Sequence, residues 1–257
     1  MSLVQLPLLE APFAFVDVET TGLRPELGHR VVEIAVLQTE GAREVSRFSA
    51  LIDPRRPLDP GAMRVNGITP DMVADAPVFA DVLPDLQARL QDRIIVAHNA
   101  PFDMGFLQTE WDIAGAAFEP GPILDTLMLA RRQYYFHSNS LGNIARALNI
   151  AAPNAHRALA DVLTTCAIFE RFCGDLARRN RPLVNDWLRM QGGIPWTPPP
   201  PPLDDDHPLQ IALAQQCTVV IEYRSGSGRV TRRLIQPLTC SGNFLVAYCH
   251  LRQEQRT

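Results

Sequence analysis

Residues 13–23 read Phe13-Ala14-Phe15-Val16-Asp17-Val18-Glu19-Thr20-Thr21-Gly22-Leu23. An apolar run with the character of a buried strand carries two carboxylates near its end and then turns at Gly22. Side chains alternate along a strand, so Asp17 and Glu19 share a face with Phe13 and Phe15. Two ionised carboxylates that close on a buried strand repel each other and lose hydration. A multivalent cation relieves both costs, and hard oxygen ligands suit Mg²⁺ or Mn²⁺. Taken alone, the same residues also describe a strand end with two solvated acids. Later segments have to supply the missing ligands.

Outward from this strand, residues 30–39 form a β-branched apolar run, and a Glu40-Gly41 turn leads into a further strand over 44–52. Three strands joined by short turns predict an antiparallel meander. Residues 61–92 read as short helical pieces, with Asp81 placed to cap the one carrying Val82, Leu83, Leu86 and Leu90. Ile94 to Ala97 is a short buried strand, and Pro101 opens a helix to about Ala114. Ile123-Leu124 is another short strand, followed by helices over 126–133, 140–149 and 157–179. Strand-rich first and alternating afterwards, residues 1–190 predict an α/β domain with a mixed sheet flanked by helices. Residues 191–207, with five consecutive prolines from Pro198 and the acids Asp204 to Asp206, predict a stiff solvated linker. Beyond it, 208–257 predict a short helix and three strands over 217–223, 229–235 and 243–248, turning at Ser225–Gly228 and Ser241–Asn243. Three strands with open edges are marginal alone.

Composition narrows the function classes. A hydrophobic fraction of 46% and a mean hydropathy of −0.04 suit a globular chain. No run approaches the ~20 apolar residues of a membrane span, and the N-terminus lacks a signal-peptide pattern, so an intracellular, cytoplasmic setting without membrane contact is expected. The five cysteines form no C-x-x-C pair, which argues against a zinc cluster or disulfide framework. All 24 basic residues are Arg, so P-loop and Schiff-base chemistry are excluded for want of a lysine. Residues 208–257 hold six Arg against Glu222 and Glu254, a net +4, leaving residues 1–207 at −8. An acidic body is compatible with nucleic acid when a cation fills the site.

Two further segments carry chemistry. In Val96-Ala97-His98-Asn99-Ala100-Pro101-Phe102-Asp103, Asp103 falls early enough in its helix to point back at a strand end. A helix-start carboxylate favoured by the macrodipole is the plainer account. Asn99 reads as an N-cap, Phe102 and Phe106 as core, and Asp125 as a cap at a strand-to-helix junction. In His156-Arg157-Ala158-Leu159-Ala160-Asp161, residues five apart do not share a helix face. His156 and Asp161 converge only if His156 lies on the entry loop. A histidine placed there suits general-base work at neutral pH.

Together the segments form a pattern: Asp-x-Glu on a strand, a distant Asp opening a helix, then His-x4-Asp. Over about residues 12–180 the chain resembles the DEDDh 3′–5′ exonucleases of the ribonuclease H-like superfamily, in particular the proofreading epsilon subunit of bacterial DNA polymerase III. The resemblance rests on FVDVETTGL (15–23), VNGITPDM (65–72), VAHNAPFD (96–103), LDTLMLAR (124–131), SLGNIARALNI (140–150) and HRALADVLTT (156–165). Arg157, where the tyrosine variant has Tyr, selects the histidine subclass. The resemblance implies a five-stranded ribonuclease H-like sheet, two divalent cations (Mg²⁺ or Mn²⁺) on Asp17, Glu19, Asp103 and Asp161, and His156 as general base, with Glu19 also counted as catalytic. It implies that Thr20, Thr21, Gly22 and Leu23 hold the 3′-terminal nucleotide, with Asn99 near the substrate. The implied reaction releases nucleoside 5′-monophosphates from single-stranded or frayed DNA 3′ ends, in repair or proofreading. An RNA-trimming exoribonuclease and a non-catalytic nucleic-acid-binding regulator are the alternatives, intact catalytic positions opposing the latter. Many epsilon-like sequences have a histidine where this chain has Asn66, which bears on substrate handling.

The C-terminal stretch resembles the first part of a WYL domain through Val220-Ile221-Glu222-Tyr223, Arg232 to Pro237 and Leu245 to Cys249. Asn243-Phe244-Leu245 stand where the name-giving Trp-Tyr-Leu belongs. A partial barrel exposes strand edges, which implies pairing with a polymerase or a second copy, or a basic surface for nucleic acid.

Overall fold

The computed structural model describes residues 2–152, 156–177, 182–198, 204, 206–225, 228–241 and 244–256. The polyproline run beyond Pro198, Asp205, the entry segment 153–155 and the inner residues of both C-terminal turns lie outside the described residues. The chain divides into two compact units, Met1–Thr197 and Pro198–Thr257.

In the first unit, β1 (Pro12–Thr20), β2 (Val31–Glu40) and β3 (Arg43–Leu51) form the expected antiparallel meander. The chain then runs through α1 (Pro60–Asn66), α2 (Pro70–Val73) and α3 (Phe79–Leu90) to β4 (Ile94–Ala97), α4 (Ala100–Ile113) and β5 (Ile123–Asp125). The helices α5 (Thr126–Gln133), α6 (Leu141–Ala147), α7 (Ala158–Ala177) and α8 (Val184–Met190) complete the unit. Strand order is β3-β2-β1-β4-β5, with β4 and β5 parallel to β1. This is the mixed five-stranded sheet that the sequence predicts.

Two apolar layers sandwich the sheet. Phe13 and Phe15 pack against Phe169 of α7, with ring centroids 5.1 and 5.5 Å apart. Ala14, Val16, Ile34 and Val36 face the other way, onto the layer that holds Phe79 and Trp111 of α3 and α4. Burial on both faces explains why β1 and β2 read as continuous apolar runs. Asp17 and Glu19 follow the register of Phe13 and Phe15, which carries them toward the α7 side.

Three local expectations change. The α3 helix begins at Phe79, so Asp81 sits inside its first turn, where Oδ2 accepts from the Val78 N–H at 3.2 Å. The α8 helix is additional, and Gln191 just beyond it is fully buried rather than part of a linker. Its side chain accepts from the Asp125 N–H and donates to the Ile123 carbonyl, both at 2.9 Å, and so covers the outer edge of β5. Trp196 packs on Phe118, and the first unit runs on to Thr197.

Among the described residues, the second unit has α9 (Pro208–Ala214) and four strands rather than three. These are β6 (Val219–Arg224), β7 (Val230–Ser241), β8 (Phe244–Cys249) and the additional β9 (Glu254–Arg256), paired in that order and antiparallel throughout. Among the described residues, no helix is long and apolar enough to cross a membrane.

Candidate active site

The site forms where β1 outruns its parallel neighbour. Pairing of β1 with β4 stops at Phe15, and the chain leaves Ala97 to enter α4. The Val18 N–H, between the two acids of β1, therefore lacks a strand partner on that side. Asp103, four residues into α4 and almost fully buried, accepts from it through Oδ1 at 3.0 Å. One hydrogen bond thus fixes a third carboxylate beside Asp17 and Glu19.

The electrostatics record the crowding. Burial, then the charges of Asp103, Asp161, Glu19 and Glu33, push Asp17 well above the usual carboxylate range. Burial does the same for Asp103, against hydrogen bonds that lower it. Glu19 is pushed up to about 7 by burial, then by Asp161 and Glu33, with hydrogen bonding from Asn66 in partial opposition. Asp161 is also raised, by burial first. Such a cluster is unfavourable as it stands and asks for positive charge.

His156 lies on the entry to α7 with φ 66°, a left-handed conformation that histidine tolerates better than most residues. Its N–H donates to Asp161 Oδ2 at 3.1 Å. Glu19, His156 and Asp161 each offer a ligand atom within 4.8 Å of the others. The entry-loop position of His156 brings together two residues that an ideal helix would separate. Next to it, Arg157 binds Glu33 through both Nε and Nη2, at 3.0 and 2.7 Å. Sequence reasoning passed over Glu33. Its signal was an acid inside Val31-Val32-Glu33-Ile34, a run apolar on both faces.

Beside the carboxylates a cleft of about 540 Å³ is lined by Glu19, Thr20, Gly22, Leu23, His29, Asn66 and Phe102 among others. Leu23 is 80% exposed at its rim. Phe102, expected in the core, is half-buried and lines the cleft while packing on Phe106. Thr21 is fully buried instead. Its hydroxyl accepts from the Arg30 N–H at 3.0 Å and shares a 3.1 Å contact with His29 Nδ1, so it shapes the turn from behind. Arg30 is tied in turn to the buried Glu110 at 2.8 and 2.6 Å. Asn66 is buried, accepts from the Ile68 N–H at 3.0 Å, and reaches the Thr20 carbonyl at 3.4 Å.

Asn99 takes the N-cap position of α4 with φ 73°, but its side chain makes no cap bond and is not part of the cleft lining. The capping carboxylate is Asp125. It accepts from the N–H groups of Asn99 and Ala100, both at 3.1 Å, and of Leu127 and Met128 at 2.8 and 3.3 Å, so it caps α4 and α5 together. Asp125 is therefore a cap, in keeping with its sequence reading. Four clustered carboxylates with an adjacent imidazole are a hard donor set that fits a divalent cation such as Mg²⁺ or Mn²⁺.

The chain is similar to several known nucleases and polymerase subunits. The family model described as Exonuclease (RNase T) matches residues 14–169. The chain is 34% identical over 176 residues to the DNA polymerase III PolC-type of Halalkalibacterium halodurans, covering 68% of this chain and 12% of that protein. It is 35% identical over 183 residues to a DNA polymerase III subunit epsilon-like protein of Rhodobacter capsulatus, covering 69% and 26%. The chain thus spans only a minor part of the curated relatives it matches. Exonuclease X, solved in complex with 5′ overhanging duplex DNA, is 27% identical with a TM-score of 0.57, covering 70% of this chain and 99% of that one. Exonuclease I, at 18% identity and a TM-score of 0.62, covers 93% of this chain and 55% of its own, a likeness of fold. The fold is that of the ribonuclease H-like exonucleases. The chain therefore belongs to the exonuclease family, with relatives of the DNA polymerase III PolC and epsilon-like types.

Proposed function

We propose that the protein removes nucleoside 5′-monophosphates from single-stranded or frayed DNA 3′ ends, in proofreading or repair. The observation that carries this reading is the convergence of Asp17, Glu19, Asp103, Asp161 and His156 at the open end of β1, beside a nucleotide-sized cleft. The DNA-bound state of exonuclease X, at 27% identity, supports DNA as the polymer.

The four carboxylates would hold two divalent cations, which when bound supply Lewis-acid activation and neutralise phosphate charge. The chain's own residues do the rest. The cleft seats the terminal nucleotide, with Leu23 at its rim and Phe102 and Asn66 in its walls. His156, which is exposed, accepts the proton of the attacking water. Water attacks phosphorus, the bond to the departing 3′ oxygen breaks, and the freed oxygen is protonated from solvent. The 5′-phosphate leaves with the excised nucleoside.

The test is incubation of 5′-labelled DNA and RNA oligomers, side by side, with Mg²⁺ or Mn²⁺. The expected result is stepwise shortening of DNA from its 3′ end with release of mononucleotides. No shortening of either polymer overturns the enzyme reading, and trimming confined to RNA reassigns the substrate.

A further inference from the structure

The ion pair between Glu33 and Arg157 lies outside the set of residues that hold metal or deliver the base, yet it joins the two halves of the site. In the β1–β2 register Glu33 stands directly opposite Glu19. It is buried, with 3% of its surface exposed. One carboxylate oxygen accepts from Arg157 Nη2 at 2.7 Å. The other accepts from Arg157 Nε and from the Ala158 N–H, both at 3.0 Å. A bidentate fork of this kind fixes direction as well as distance.

The Ala158 N–H belongs to the first turn of α7, where backbone donors have no intrahelical partner. The Arg157 carbonyl accepts from the Asp161 N–H at 3.0 Å and so begins the helix. Glu33 therefore caps α7 from the neighbouring strand and grips the residue between His156 and the helix. Asp161 closes the circle by accepting from the His156 N–H at 3.1 Å. His156 itself has φ 66°, a left-handed backbone that a non-glycine residue keeps only when its surroundings hold it.

We propose that Glu33 and Arg157 are positioning residues: their clamp sets His156 and Asp161 against Glu19, and so determines both cation affinity and the placement of the base. This inference rests on the proposed exonuclease reading. Residues that orient ligands from behind typically cost about 10–100-fold in metal affinity or activity when altered.

The experiment compares Arg157→Lys, which keeps the charge and loses the fork, with Glu33→Gln. Arg93→Lys serves as the control. Arg93 bridges the Phe13 and Thr39 carbonyls at 3.3 and 3.2 Å at the far end of the sheet. Each variant is measured for kcat and KM on a DNA oligomer, and for Mn²⁺ affinity by calorimetry without nucleic acid. The clamp variants are expected to lose about 10–100-fold in kcat and a comparable factor in Mn²⁺ affinity. KM is expected to stay within about 3-fold, because the cleft walls are untouched. Arg93→Lys is expected to lower Tm alone. Wild-type kcat and Mn²⁺ affinity in the clamp variants, with only Tm reduced, overturn the proposal. If a single variant leaves an unpaired buried charge and fails to fold, the double variant Glu33→Gln with Arg157→Met removes both charges. It supports the proposal if kcat falls at least about 10-fold and overturns it if kcat is unchanged. An inactive wild-type protein would refute the exonuclease reading itself, while the Mn²⁺ titration still decides on the clamp.

Discussion

The carboxylate of Asp103 accepts a hydrogen bond from the Val18 backbone at 3.0 Å, across 85 residues of chain, at the midpoint between Asp17 and Glu19. The same group thus completes the backbone bonding of β1 and adds to the charge that destabilises its surroundings. Asp103→Asn separates the two roles, because the amide oxygen still accepts from Val18 while the charge is gone. Removing a buried like charge is expected to raise the Tm of the metal-free protein by about 2–4 °C, a gain of roughly 1 kcal/mol. Exonuclease activity and the stabilisation given by Mn²⁺ are expected to disappear together. A variant that is both less stable without metal and still active would show that Asp103 is structural only.

Glu19 gives a pH dependence whose sign follows from its environment. Burial, with Asp161 and Glu33 behind it, pushes this carboxyl up to about 7 from an ordinary value of 4.5. The folded chain then holds the proton more tightly than the unfolded one. The associated stability is complete below about 4.5 and is lost as pH rises through about 7. At about 1.4 kcal/mol per pKa unit the loss from this group is at most about 3.5 kcal/mol. Mn²⁺ binds the ionised ligands, so its affinity should rise over the same window. Thermal melts from acid to mildly alkaline pH, in chelator and in Mn²⁺, should diverge progressively. A chelator curve that is flat through neutrality would contradict the assignment.

His156 is expected to separate rate from metal affinity when replaced by Asn, which tolerates φ 66° where Ala would be strained. Loss of the general base should lower kcat by about 10²–10⁴-fold. Mn²⁺ affinity should fall only a few-fold, since the carboxylates remain. Single-turnover kinetics beside calorimetry would check this. An equal loss in both would make His156 a ligand.

Much of this was legible because β1 states its own conflict: Phe13 and Phe15 fix the register, and Asp17 and Glu19 break the apolar pattern on the same face. His156 and Asp161 were legible only as a condition, since their convergence depends on where α7 begins. That start is set by Glu33, over a hundred residues away, and no local pattern carries a bond of such span. Thr21 and Asn99 show positions that the motifs alone do not give. Both belong to the recognised motifs, yet the first is sealed behind the turn by Arg30 and His29, and the second stands outside the cleft lining. The glycines and prolines that follow Gln191 give it the character of a linker. Its burial depends on the open edge of β5, which exists only in the folded sheet.

Asp125 offers a test of how far the site depends on its scaffold. Four backbone donors from the starts of α4 and α5 end on this one buried carboxylate. Asp125→Ala leaves them without a partner and should destabilise the first unit by about 2–4 kcal/mol. The α4 start also carries Asp103, so the surviving folded protein should bind Mn²⁺ more weakly. Denaturant unfolding with parallel calorimetry measures both, and an intact Mn²⁺ affinity would show that Asp103 is held by Val18 alone.

Gly22 is the point where the cleft has no room to spare. A Cβ built at this residue would overlap the ring of His29, which is held in place by the Thr21 hydroxyl at 3.1 Å. Gly22→Ala therefore has to displace either the imidazole or the turn itself. Thr20 Oγ1 donates to the Gly22 carbonyl at 2.5 Å, and Thr21 is pinned to Arg30, so the turn is the more rigid of the two. The His29 side chain is expected to swing into the cleft, against the space that the terminal nucleotide needs. Substrate binding should suffer more than chemistry, because Asp17, Glu19 and His156 are untouched. The expected signature is a KM for DNA oligomers raised about 10-fold with kcat reduced about 3-fold or less, as for loss of uniform binding. Steady-state kinetics on oligomers of fixed length would show it. A fall in kcat at constant KM would mean that the turn, not His29, had moved.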